Sequence, residues 1–401
     1  MNRNPKGCSN IGGPIAANME YCRGTAMHLF SLYGYHPFSP AELQLVEDVW
    51  NCLSPERARR LIPLMSPLGE PCVMRGDLTL SAVAYLASHY AEDRRPLRLS
   101  YAERVFSVPT PPRDNLEENQ VGVELIGWEG AGADAETAAL LLRTLDALSV
   151  ENSVLVLGDV SVLASLTEGL PATAARGLTE ALRCGSNTNY YERLSALELP
   201  ANKRTLFERL PCLKGGVGVI TEAMSLLEEP SVLLPLKTLC DTLARLGWSQ
   251  RLRVDLAFVR DLGYYSGPIY NACSCSDGAL LGGGGRYDGL LAQEGIEGQA
   301  AGFALNLKEL ASHCSPPRAA PQLTLWGGGC DCAEVLRYAD GLSKKGRAFE
   351  LSWTEDRGAS LASAAQRGAG WWVDLGARRV TGLPSGNENT LSEFEAEVLS
   401  C

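Results

Sequence analysis

Two stretches of alternating side chains, residues 97–102 (Leu-Arg-Leu-Ser-Tyr-Ala) and 120–126 (Gln-Val-Gly-Val-Glu-Leu-Ile), constrain what this chain can fold into more than anything else in it. Successive side chains of a strand point to opposite faces, so each stretch reads as a half-buried antiparallel strand. Pro109, Pro111 and Pro112 place a loop between them. Upstream, residues 18–34 carry Met19, Cys22, Met27, Leu29, Phe30 and Leu32 at roughly helical spacing, with a stop at Gly34. Tyr35 to Pro40 is extended, because each proline turns the residue before it away from helical angles. A second helix runs from Gly76 through Leu80, Val83, Ala84, Leu86 and Ala87, with Asp77 and Thr79 in its first turn.

Further along, residues 135–148 form a strong helix, 153–157 a buried strand, and roughly 160–250 several helices with little strand signal, which is an α-helical insertion. Strand character returns at 253–257, ahead of Tyr264-Tyr265-Ser266-Gly267 and the glycine run 282–285 with Arg286, Tyr287 and Asp288. Pro316, Pro317 and Pro321 mark a linker. Past it, strands at 323–326, 349–353 and 371–375 alternate with helices at 332–344 and near 358–368, which predicts a small α/β domain on a largely parallel sheet. A chain of 401 residues with 45% hydrophobic content is long enough for two domains. The expected fold class is α+β: an antiparallel core over 1–315, interrupted by the helices of about 160–250, and a small domain over 320–401.

The formal net charge of −11 works against nucleic-acid binding, which needs clustered Lys and Arg. Thirteen cysteines, an odd number without repeating spacing, read as reduced thiols in a cytoplasmic protein. Cys273/Cys275 and Cys330/Cys332 have one residue between partners, too close for the usual zinc pair, so neither metal nor cofactor is expected. No apolar run has the length to cross a bilayer. Trp353, Trp371 and Trp372 lack interleaved Arg or Lys, which favours core packing or a protein interface over stacked bases.

Four segments carry the chemistry: Gly34-Tyr35 to Pro40; Arg75-Gly76-Asp77-Leu78-Thr79; Gln120-Val121-Gly122-Val123-Glu124; and Arg260 to Gly267 together with Gly283 to Gly289. In this order they resemble histidyl-tRNA synthetase, a class II aminoacyl-tRNA synthetase, whose Arg-x-x-x-Tyr-Tyr and Gly-Gly-Arg-Tyr-Asp segments hold histidine. The resemblance implies that Asp77 and Thr79, with Gln120, take the α-ammonium, that Arg260 meets the carboxylate, and that Glu124 and Tyr265, beside Tyr264, bracket the imidazole. Elementary chemistry agrees, since a zwitterionic imidazole amino acid needs a carboxylate, a cation and two hydrogen-bonding partners. Taken alone, Asp77 and Thr79 also suit a helix cap, Gln120 and Glu124 a solvent-facing strand, and the glycines a hairpin.

Departures from the family pattern carry as much weight as the matches. Where the family places an Arg and a Glu after the strand ending at Val105-Phe106, this chain has Ser107 and Pro109. Glu309 stands where a helix arginine would pair with the ATP phosphates, and Lys308 points about a quarter-turn away. Adenylate formation therefore reads as disabled while the amino-acid pocket is kept. That combination is similar to the regulatory subunits of short-form ATP phosphoribosyltransferase, which favour a strand like residues 120–127. The resemblance implies a chain with no catalytic residues, a catalytic ATP phosphoribosyltransferase subunit as partner, L-histidine as feedback effector, a homodimer through residues 34–40, and neither nucleic acid nor membrane. A divergent histidyl-tRNA synthetase is the rival reading.

Overall fold

The computed structural model describes residues 4–50, 52–89, 96–109, 115–150, 152–260, 263–316 and 322–397. Pro111 and Pro112 of the expected loop, Pro317 and Pro321 of the expected linker, and Asp261 and Leu262 lie outside the described residues. The chain divides into two compact units, Met1–Pro316 and Pro317–Cys401.

The first unit is built on a nine-stranded sheet. Its order is His36–Pro37, Leu97–Phe106, Glu117–Ile126, Ala300–Asn306, Leu280–Arg286, Pro268–Ser274, Ser153–Asp159, Leu252–Asp255 and Lys214–Gly215. The pairings are antiparallel except for the first strand on the second and Ser153–Asp159 on Leu252–Asp255. Both alternating segments are strands of this sheet, and Leu99 stands opposite Glu124. The strand from Leu97 continues to Phe106, past the end of its alternation, because its partner runs equally far back to Glu117. Three short strands, Leu43–Leu45, Pro71–Met74 and Ile62–Met65, form a separate small sheet that no pattern in the sequence announced.

Two helices, Gly13–Leu32 and Ala131–Ala147, pack on the large sheet. Ala138, Leu140, Leu141, Leu142 and Leu145 of the second are fully buried, and truncating one such leucine to alanine costs about 2–5 kcal/mol. Residues 160–250 are mostly helical. The helix Leu78–His89 contributes Leu80, Val83 and Leu86 to a second apolar cluster, which also contains Tyr264 and Tyr287.

One arginine explains the extended segment before Pro40. Arg75 is fully buried and donates to the carbonyls of Pro40, Ala41 and Arg104 at 2.5, 3.1 and 2.9 Å. Its guanidinium thus ties the backbone at Pro40 and Ala41 to the strand Leu97–Phe106.

The second unit has a five-stranded sheet in the order Phe349–Ser352, Leu323–Trp326, Trp371–Asp374, Arg379–Gly382, Glu388–Thr390. The expected largely parallel sheet needs correction: the first three strands are parallel, but the last two are antiparallel additions. Arg379–Gly382 and Glu388–Thr390 are short and polar, so they lack the apolar run by which a buried strand is recognised. The helix Cys332–Lys344 lies where it was expected, capped by Asp331, whose side chain accepts from the backbone of Ala333 and Glu334. Trp372 is fully buried and donates to Ser360 Oγ at 2.9 Å, Trp371 packs on Phe394, and Trp353 is 56% exposed.

Candidate amino-acid site

A cavity of about 380 Å³ opens on the large sheet, a volume within the range of small-molecule pockets. Its lining includes Asp77, Thr79, Gln120, Arg260, Tyr264 and Tyr265. Those are six of the seven residues singled out from the sequence. The seventh, Glu124, lies behind the lining at 1% exposure.

Glu124 is held by three hydroxyls. Thr79 and Tyr101 donate to Oε1 at 2.7 and 3.1 Å, and Tyr287 donates to Oε2 at 2.6 Å. Oε2 therefore keeps one acceptor position that these bonds do not use. Gly302 pairs with Glu124 in the sheet and lines the cavity; a side chain there would run into Oε2. The glycine keeps the space over that oxygen open. Burial pushes the Glu124 carboxyl up to about 7, against the pull of the Tyr287, Thr79 and Tyr101 hydroxyls and with a further push from Asp77.

Asp77 begins the helix Leu78–His89: Oδ1 accepts from the backbone N–H of Leu80 at 3.0 Å, and Oδ2 accepts from Tyr264 at 3.0 Å. Asp77 thus caps the helix with one oxygen and holds Tyr264 with the other. Tyr264 and Tyr265 pack together with ring centroids 5.1 Å apart, and the Arg260 guanidinium lies over the Tyr265 ring at 5.2 Å. Arg260 Nη1 also donates to the Tyr270 carbonyl at 2.9 Å, passing over Gly283, where a side chain would collide with it and with Asn271. Here the glycine run is a strand, Leu280–Arg286, whose missing side chains admit the site's own groups. Gln120 donates to Glu118 Oε1 at 2.8 Å at the same cavity.

Several members went unrecognised in the sequence: Tyr101, Tyr287, Asn271 and Arg57. Tyr101 had a signal, because it shares strand parity with Leu99, the residue opposite Glu124. Tyr287 sits inside the Gly-Gly-Arg-Tyr-Asp segment, whose Arg286 turns out to be structural, paired with the buried Asp134 at 2.9 Å. Asn271 presents a buried Oδ1 that has no hydrogen-bond partner among the described residues.

A larger cavity of about 840 Å³ shares Arg60, Ser107, Glu118, Leu280 and Asn306 with the first. It is also lined by Lys308 and Glu309, at the start of the helix Leu307–His313, and by Arg104 and Glu117, which pair at 3.4 Å. Charged groups of both signs line it. Among the described residues, no cluster of His, Cys, Asp and Glu is arranged to hold a metal ion, and no helix is long and apolar enough to cross a membrane.

Comparison with known proteins places this geometry in a family. The model described as histidyl-tRNA synthetase matches residues 7–310. An ATP phosphoribosyltransferase regulatory subunit from Moorella thermoacetica is 30% identical over 375 residues, covering 91% of this chain and 96% of its own. One from Bacillus licheniformis is 27% identical, covering 86% and 90%. Among solved structures, an ATP phosphoribosyltransferase regulatory subunit/histidyl-tRNA synthetase from Bacillus halodurans is 25% identical with a TM-score of 0.81, covering 90% of this chain and 96% of that one. A histidyl-tRNA synthetase from Nostoc, 17% identical, superposes over 100% of this chain and 99% of its own with a TM-score of 0.80, a likeness of fold. The chain belongs to the histidyl-tRNA synthetase family and, within it, to the ATP phosphoribosyltransferase regulatory subunits.

Proposed function

We propose that this chain is the non-catalytic regulatory subunit of an ATP phosphoribosyltransferase, acting in the first step of histidine biosynthesis in the cytoplasm and conveying feedback inhibition by L-histidine bound in the smaller cavity. The observation that carries this reading is the convergence of Asp77, Glu124, Arg260, Tyr264 and Tyr265 on one site. Asp77, Thr79 and Gln120 receive the ammonium, Arg260 the carboxylate, and Glu124 with Tyr265 the imidazole. A buried site of this kind rejects ligands that leave its own polar groups unpaired by on the order of several kcal/mol. Histidine then shifts the complex by the difference between its affinities for the active and inhibited arrangements. Partner and homodimer contacts follow from family resemblance: a catalytic subunit, and pairing of two copies through residues 34–40.

A synthetase must also stabilise charge on the α-phosphate. Ser107 and Glu309 at the larger cavity, where the family resemblance implies arginines, support a chain that does not form adenylate. The family match to histidyl-tRNA synthetase keeps one rival reading in view, an enzyme that activates histidine with ATP and charges tRNA. Pyrophosphate exchange into ATP, assayed with histidine and purified protein, separates the two. No exchange is expected, and exchange at a synthetase-like rate refutes the regulatory reading. Calorimetry with histidine should show binding that Glu124→Ala and Arg260→Ala each weaken by about 2 kcal/mol or more. Unchanged affinity in both variants refutes the assignment of the site.

A further inference from the structure

Around the smaller cavity, Asp77 in the lining and Glu124 behind it are buried, whereas Glu118 and four guanidiniums in the lining, Arg57, Arg60, Arg183 and Arg260, are only half-buried. Three of these four are engaged. Arg183 pairs with Glu56 and Glu180 at 2.6 and 2.5 Å. Arg60 donates to the Val108 carbonyl at 3.2 Å and to Ser107 Oγ at 3.4 Å. Arg260 donates to the Tyr270 carbonyl and covers the Tyr265 ring.

Arg57 differs from them. It stands on the short helix Pro55–Ala58, where its backbone N–H donates to Ser54 Oγ at 3.3 Å. Its guanidinium has no hydrogen-bond or ion-pair partner among the described residues. Its charge still reaches the site: burial pushes the Tyr265 hydroxyl up, and Arg260 first and Arg57 after it pull it back. A guanidinium with unused donors at a half-buried position offers a carboxylate two parallel charge-assisted bonds.

We infer that Arg57 is a specificity-determining residue of this site, the cation that joins Arg260 on the ligand's α-carboxylate and so separates an α-amino acid from analogues that lack that group. This rests on the amino-acid reading above. Arg260 keeps Nη1 on a backbone carbonyl, so the ligand is left its other donors.

The test is calorimetry on the full chain with two ligands, L-histidine and histidinol, whose carboxylate is replaced by a hydroxymethyl group. The parent should bind histidine about tenfold or more tighter than histidinol, the size expected for a hydrogen bond between charged groups. Arg57→Ala should narrow that gap several-fold by weakening histidine alone, Arg260 holding what remains of it, and Arg57→Lys should restore part of the loss. Equal weakening of both ligands by Arg57→Ala would mean a structural role and overturns the inference, as does a gap that Arg57→Ala leaves intact. A parent that binds neither ligand overturns the amino-acid reading together with this one; a parent that binds histidine with an unaltered gap in Arg57→Ala overturns this one alone.

Discussion

Replacing Glu124 by Gln should change how stability depends on pH, because burial raises the carboxyl that the amide replaces. The carboxyl is raised from its ordinary 4.5 to about 7, with burial as the leading cause. Between those values the folded chain keeps a proton that the unfolded chain has released. Stability contributed by this group therefore falls as pH rises through the window, and the loss is complete above about 7. The interval of roughly 2.5 units corresponds to about 3 kcal/mol at 1.36 kcal/mol per unit. Glutamine is neutral throughout, so Glu124→Gln lacks this slope while every other titrating group is shared with the parent. Urea unfolding of both proteins at pH 4.5, 5.5, 6.5 and 8 isolates the term as the difference between them. Relative to the parent, the variant should gain about 3 kcal/mol from the lowest pH to the highest. A difference that stays constant to within about 0.5 kcal/mol across the series would refute the claim that Glu124 is held protonated by burial.

Two further perturbations test the shell around the site. Arg75→Met should cost about 3–5 kcal/mol by urea unfolding, because Arg75 is fully buried and three backbone carbonyls would lose their donor; a loss under about 1 kcal/mol would show that these bonds do not anchor the extended segment. Gly302→Ala should abolish histidine binding and cost about 1–3 kcal/mol, since a methyl there meets Glu124 and the Val123 carbonyl. Gly24→Ala, on an exposed helix face with nothing nearby, should instead add up to about 1 kcal/mol.

What could be read from the sequence and what could not divides along a physical line. The helix Cys332–Lys344 and the strand Glu117–Ile126 were legible because each states its geometry locally, the first by its cap and spacing, the second by parity. Leu280–Arg286 says the opposite of what it forms, as four consecutive glycines disfavour a strand by intrinsic preference. Neighbours decide it: Gly284 lies against the backbone of Gly302 and Phe303, and Gly283 against Tyr270, Arg260 and Asn271. Only when Ala300–Asn306 and Pro268–Ser274 flank that run does a chain without side chains become the one that fits. The same dependence hides part of the site. Asp77 and Arg260 could be nominated because a zwitterion demands their charges, and Glu124 because an imidazole demands a hydrogen-bonding partner, but Tyr101 and Tyr287 are selected by what Glu124 needs after it is buried. A carboxylate at 1% exposure requires donors, and nothing local to Glu124 names them. Ligand chemistry therefore nominates the groups proposed to meet a ligand, whereas the residues that make such groups tolerable inside the protein are fixed by strand pairing and emerge only with the fold.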